Sequence, residues 1–222
     1  MLLQRLLGVL AGTAFVAALG ALLFVCAGRW DLSFFWAYLG LLEASVVAAG
    51  LLADPGLARE RLRPGPGGKD YVMVVVFLPL WVGSFVVAGL DVGRFHWSDS
   101  VPPALQAAGL VLFAAAMVVE TWAVAVNRFF SSVVRIQRDR GHHVITTGPY
   151  RYVRHPGYAG GLLLFLGGGL ALGSWLALLL NLAMMPAILR RTVIEDRCLR
   201  HELEGYAQYA ETVRYRLIPG VW

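Results

Sequence analysis

Charge is scarce in this chain. Only 15% of its 222 residues are Asp, Glu, Lys or Arg, whereas a soluble domain carries about a quarter. A fully solvated globular surface is therefore excluded. Cysteine is scarce as well: Cys26 and Cys198 are the only two, too few for a disulfide framework. The five His show no HExxH and no paired Cys/His spacing, so no metal site is expected. No G-x-G-x-x-G follows a strand, and the run Gly167-Gly168-Gly169 lacks a GK[ST] ending. A Rossmann turn and a phosphate loop are thereby excluded. There is no internal repeat.

What fills the space is hydrocarbon. Hydrophobic residues make up 58% of the chain, with a mean hydropathy of +0.65. Several apolar runs reach the length of about 20 residues that crosses a bilayer. They are continuous rather than alternating, which argues against a transmembrane barrel. The expected fold is all-α: a polytopic helical membrane bundle of about six spans, forming one domain over 1–222. Spans are expected near 6–27, 32–53, 71–90 and 104–126. The apolar stretch 158–189, broken at Gly173-Ser174, reads as a tight hairpin of two further elements that cross or partly re-enter. Residues 1–126 thus hold the N-terminal helices. Residues 127–222 hold the hairpin, the polar motifs and a tail.

The Arg distribution orients the bundle. Arg5, then Arg59, Arg61, Arg63 and Lys69, then Arg128 to Arg154, then Arg190 to Arg200 form basic segments separated by nearly neutral loops. Basic loops stay cytoplasmic, so both termini are expected inside, in a plasma or inner membrane. The first run is too long for a signal-peptide core and is expected to remain as a span. The net charge of +5 suits anionic lipid, and no nucleic-acid partner is needed to explain it. Cys26 and Cys198 should lie on opposite sides, unbonded. The segment Arg63 to Gly68, RPGPGG, is a linker that no helix continues through.

Two polar constellations interrupt the hydrocarbon. The first is Gly141 to Gly161, GHHVITTGPYRYVRHPGYAGG. Polar groups at a membrane border are costly and tend to mark function. Pro149 and Pro156 break helices and hold the backbone between them in an irregular path. Arg151 and Arg154 offer planar donors for a carboxylate. Tyr150, Tyr152 and Tyr158 combine a flat face with a hydroxyl, suited to an adenine and a ribose. An interfacial belt of Tyr and Arg on lipid headgroups would use the same residues. The second constellation is RRTVIEDRCL, where Arg191 and Glu195 share one helical face. Together they match a zwitterionic amino-acid group; a solvated i,i+4 ion pair is the bland alternative. Glu43 and Glu120 are carboxylates within spans, either functional or hydrogen-bonded to a neighbouring helix.

These segments, followed by GYAQYAETVRYRLIPGVW, resemble the isoprenylcysteine carboxyl methyltransferase family, itself similar to the membrane phospholipid methyltransferases. The resemblance covers Asn127 to Trp222 and rests on three motifs in order. It implies S-adenosylmethionine as cofactor, held by Arg154, His155, Pro156 and Tyr158 of the RHPGY segment together with Glu195. It further implies that His143, Val144 and Ile145 line the cofactor, that Tyr206 and Tyr209 are the family's later Tyr pair, and that Arg191 lies near the reacting groups. Tyr150 joins the cofactor-binding set. Asp196, the second member of the acidic pair, is expected in the cofactor-binding set as well, although the family usually shows Glu-Glu here and Asp is one methylene shorter.

The implied activity is methyl transfer to a lipid-like or isoprenoid acceptor that enters from the bilayer, such as a prenylated cysteine carboxylate. Two further readings are a sterol-reductase-like membrane reductase using NADPH and a phospholipid N-methyltransferase. A non-catalytic membrane protein predicts no cofactor at all.

Overall fold

The computed structural model describes residues 2–66 and 73–222. Among these residues every regular element is helical. The bundle is built from α1 (Leu2–Ala27), α2 (Ser33–Leu52), the short α3 (Leu57–Leu62), α4 (Leu78–Leu90), α5 (Pro103–Val126), α6 (Pro156–Ala171), α7 (Trp175–Glu202) and α8 (Tyr206–Thr212). Wider π-helical turns, Met73–Phe77 and Asp91–Phe95, flank α4.

Among the described residues, five helical stretches are long and apolar enough to cross a membrane: Arg5–Ala27, Ser33–Leu52, Val75–Phe95, Pro103–Val126 and Trp175–Glu202. The sixth apolar helix, Pro156–Ala171, is shorter. The chain is thus a multi-pass integral membrane protein. The start of the expected third span at Tyr71, Lys69 of the basic loop and the end of the RPGPGG linker lie outside the described residues.

Small residues decide which helices touch. α5 packs most extensively on α6. A Cβ at Gly167 would sit 2.6 Å from the Phe113 backbone nitrogen, and one at Gly109 would sit 2.5 Å from that of Ala171. Within a membrane such close backbone approach, rather than water exclusion, drives association. On its other side α6 packs against α7, where Gly169 leaves room for the Leu178 backbone.

The hairpin forms as expected. Gly173 takes φ +69°, a left-handed value that glycine adopts without penalty. Ser174 then caps α7, its side chain accepting from Ala177 N. Asp91, fully buried, accepts from Ser98 N at 2.8 Å and from the Ser174 hydroxyl. The hairpin turn is thereby pinned to the loop after α4. Glu43 accepts from Thr13 Oγ1, which ties α2 to α1 and matches the structural alternative for that residue. Both cysteines are unbonded to each other.

Length matters at the opposite end. α6 has 16 residues, about 24 Å of helix, and begins at the RHPGY segment. α7 has 28 residues, about 42 Å. The antiparallel partner therefore overshoots, and the polar last turns of α7 stand beside the start of α6 and the loop before it. That offset creates the cavity described next.

Candidate active site

A cavity of ≈ 400 Å³ opens between the start of α6, the polar end of α7, α8, α5 and the 127–145 loop. Its size falls within the range of about 300–1,000 Å³ typical of small-molecule sites. Of the residues singled out from sequence, His143, Val144, Ile145, Tyr150, Arg154, His155, Tyr158, Arg191, Glu195, Tyr206 and Tyr209 all line it. Pro156 and Asp196 do not. Arg151 and Tyr152 face outward, Tyr152 being 58% exposed.

The centre of the wall is a three-residue relay. Arg191 Nε donates to the Tyr158 hydroxyl at 2.6 Å, and that hydroxyl donates to Glu195 Oε2 at 2.6 Å. Arg191 and Glu195 are one turn apart on α7, and Tyr158 enters between them from α6. Arg191 is only 2% exposed, so it does not belong to a solvated helical face. Its guanidinium also lies 5.9 Å from the centre of the Tyr158 ring.

His155 joins the two neighbouring acids. Its Nδ1 lies 3.8 Å from Glu195 Oε1, and its Nε2 lies 3.3 Å from Asp196 Oδ1. Consecutive helical residues point about 100° apart, so Glu195 faces the cavity and Asp196 faces the protein. Asp196 is 1% exposed and meets five side chains: Arg154 Nε at 2.8 Å, His155, Arg200, Tyr206 and Arg216. Arg154 also donates to the carbonyls of Val213 and Arg214. The tail is clamped to the RHPGY backbone as well, with Arg154 N on Tyr215 O and His155 N on Arg216 O. Asp196 thus braces the residues that line the cavity.

α8 closes one side. Tyr206 donates to Asp196 at 3.0 Å and Tyr209 to the Tyr150 carbonyl at 2.6 Å. Burial raises the pKa of both phenols, so both remain donors. Asn127 Nδ2 meets the Tyr150 hydroxyl at 2.8 Å. Phe129 lies between the imidazoles of His142 and His143, with centres 4.5 and 5.0 Å away. Burial pushes His142 down to about 4. The neutral ring accepts from Gln137 N at Nδ1, 3.2 Å away.

Sequence reasoning missed the outer wall. Glu60 of α3 forms a buried two-pronged pair with Arg135, at 2.8 and 2.7 Å. Arg135 also bonds Asp139 at 2.8 Å. Burial opposes the charge on Glu60, but bonds from Arg135 and Ser131 outweigh it and hold the carboxyl below its usual range. This pair fastens α3 across the loop after α5 and brings Arg61, Phe129 and Phe130 to the cavity. The one available signal was a lone carboxylate amid Arg59, Arg61 and Arg63. Glu120, left open from sequence, also lines the cavity. Among the described residues no group of three or more His, Cys, Asp or Glu comes together as a metal site.

Comparison with known proteins places the chain beside membrane methyltransferases in sequence and in fold. Residues 105–204 match the family model described as phospholipid methyltransferase. The chain is 33% identical over 92 residues to the protein-S-isoprenylcysteine O-methyltransferase of Schizosaccharomyces pombe, covering 40% of this chain and 39% of that one. It is 35% identical over 106 residues to a probable protein-S-isoprenylcysteine O-methyltransferase of Oryza sativa subsp. indica, covering 45% and 56%. It is 33% identical over 135 residues to the cobalt-zinc-cadmium resistance protein CzcN of Cupriavidus metallidurans, covering 58% and 56%. The chain therefore spans between 39% and 56% of the length of these curated relatives. The structure of the eukaryotic intramembrane Ras methyltransferase ICMT superposes with a TM-score of 0.58 at 19% identity, covering 94% of this chain and 75% of that one. The resemblance read from the motifs thus holds in sequence and in fold.

Proposed function

We propose that this chain, a relative of the isoprenylcysteine carboxyl and phospholipid methyltransferases, is an S-adenosylmethionine-dependent methyltransferase acting on a lipid-like acceptor. The observation that carries the reading is the Arg191–Tyr158–Glu195 relay in the wall of a ≈ 400 Å³ cavity. The donor set suits the cofactor. Glu195 would take its ammonium, and the RHPGY segment, with Arg154 and His155 braced by Asp196, would face its carboxylate. Tyr150, Tyr206 and Tyr209, with His143, Val144 and Ile145, would surround its flat and hydroxylated parts. Once bound, S-adenosylmethionine supplies a methyl group already activated on a sulfonium.

The chain's own work is then positioning and exclusion of water. Arg191 and Tyr158 hold Glu195 at a fixed place, and the buried Asp196 cluster holds Arg154 and His155. The apolar end of the cavity, lined by Phe77, Leu78, Leu164 and Phe165, suits a lipid chain arriving from the bilayer. A prenylated cysteine or another isoprenoid acid fits this end, as the names of the relatives suggest. The basic segments favour a cytoplasmic site with both termini inside. Glu195→Gln and Asp196→Asn separate cofactor contact from bracing.

A ligand of the folded state raises its melting temperature by mass action. S-adenosylhomocysteine should therefore stabilise the detergent-solubilised protein while NADPH does not. Protection by NADPH alone would replace this reading with a reductase.

A further inference from the structure

Among the described residues, four guanidinium groups reach the cavity: Arg61, Arg135, Arg154 and Arg191. Three have evident duties. Arg135 is committed to Glu60 and Asp139, Arg154 to Asp196 and two tail carbonyls, and Arg191 to Tyr158. Arg61 differs. It sits on α3, and its side chain is exposed at the cavity wall. Its guanidinium carbon lies 5.6 Å from the centre of the Phe130 ring. Glu120, from α5, lines the same cavity.

The placement of Arg61 is over-determined. The preceding residue, Glu60, is locked in the buried pair with Arg135. The carbonyl of Arg61 itself accepts from Ser132 Oγ at 2.9 Å. Phe130, under the guanidinium, fills the space that a side chain at Gly157 would take. Glu120 is fitted as closely. A Cβ at Gly160 would come within 2.7 Å of its Cγ, and one at Gly161 within 3.5 Å of its Oε1. Gly161 is one helical turn beyond Tyr158. The Glu120 carboxylate therefore lies one turn deeper than the relay, towards the apolar end.

We propose that Arg61 is the acceptor-recognition residue of this cavity, pairing with the carboxylate head of an anionic, long-chain substrate, and that Glu120 is the positioning residue that holds Arg61 towards it in the absence of substrate. This deepens the methyltransferase reading and rests on it for the identity of the second substrate. A planar fork suits a carboxylate. A cationic amine head would meet two guanidinium groups, Arg61 and Arg191, in a site that also admits a sulfonium. An anionic head gains from all three of these cations and competes with Glu120 for Arg61, while Glu195 is taken up by Tyr158 and the cofactor's ammonium. Conversion of the carboxylate to a methyl ester removes its charge, so Arg61 returns to Glu120 and the product loses its anchor.

The test uses the full chain in detergent with S-adenosylhomocysteine present, and reads binding rather than turnover. The probes are S-farnesyl-N-acetylcysteine and its carboxamide, which share the apolar tail and differ in the charged head. The parent should bind the acid about ten- to a hundredfold more tightly than the amide, the range of a charge-assisted bond. Arg61→Ala should bind both probes as weakly as the parent binds the amide, with S-adenosylhomocysteine affinity unchanged. Arg61→Lys should restore part of the preference. Equal binding of acid and amide by the parent, or a preference that survives in Arg61→Ala, overturns the assignment. Loss of S-adenosylhomocysteine binding in the parent with an Arg61-dependent acid preference intact would instead overturn the methyltransferase reading and leave Arg61 as an anion site.

Discussion

Two adjacent acids on α7 should fail in opposite ways when neutralised. Glu195→Gln removes a charge that faces the cavity, 28% exposed, with the Tyr158 hydroxyl at 2.6 Å. Gln keeps the size and can still accept from Tyr158, so folding should be nearly unaffected. Losing a charge-assisted contact to the cofactor's ammonium should weaken its binding by about 1.5–3 kcal/mol, roughly ten- to a hundredfold. Asp196→Asn removes a charge that faces inward, and Arg154, with 2% side-chain exposure, is left buried without its counter-charge. Breaking a buried pair in this way costs about 3–5 kcal/mol. At about 2–4 °C per kcal/mol for a chain of this size, the melting temperature should fall by roughly 10 °C. The assay is thermal unfolding in detergent with and without S-adenosylhomocysteine. The expected pattern is a stable Glu195→Gln that the ligand no longer protects, and a destabilised Asp196→Asn that it still protects in proportion. A fully stable Asp196→Asn that has lost ligand protection would refute the division of labour and place Asp196 among the ligand contacts.

Tyr158→Phe removes the hydroxyl that joins Arg191 to Glu195 and should lower kcat/KM for methyl transfer by about ten- to a hundredfold, while thermal stability falls by less than the Asp196→Asn loss. His142 sets a pH dependence: burial lowers it to about 4 in the folded protein, against about 6.5 unfolded. Between those values the unfolded chain binds the extra proton. Its contribution to stability is therefore complete above pH 6.5 and is lost as pH falls towards 4; melting curves from pH 7.5 to 4.5 should be flatter for His142→Phe than for the parent. For topology, a cysteine at Asp99, exposed in the loop after α4, should react with a membrane-impermeant thiol reagent on intact cells, and one at Gln208 should not. The opposite pattern would put the cavity on the outer face.

Much of the architecture could be read from composition because the bilayer imposes it. Apolar run lengths fixed the long helices, and Gly173-Ser174 marked the hairpin turn because glycine and a capping hydroxyl have one local use there. The site was legible where residues sit close in sequence, as in RHPGY. Arg191 and Glu195 were recognisable as sharing a face, but the insertion of Tyr158 between them depends on the packing of α6 on α7. The inward turn of Asp196 was equally hidden, since it depends on Arg216 and Tyr206 arriving from the tail. The Glu60–Arg135 lock joins residues 75 positions apart. No spacing rule encodes such a pair, and its members read as part of ordinary basic loops. Arg61 and Phe130 therefore became visible only in three dimensions.

The most direct test of methyl transfer is incubation of the purified protein with methyl-labelled S-adenosylmethionine and a membrane lipid extract, followed by mass spectrometry of the organic phase. The account predicts a labelled, lipid-soluble product from the parent protein that is strongly reduced with Glu195→Gln. Absence of label from every lipid species, in a preparation that S-adenosylhomocysteine does not stabilise, would contradict it.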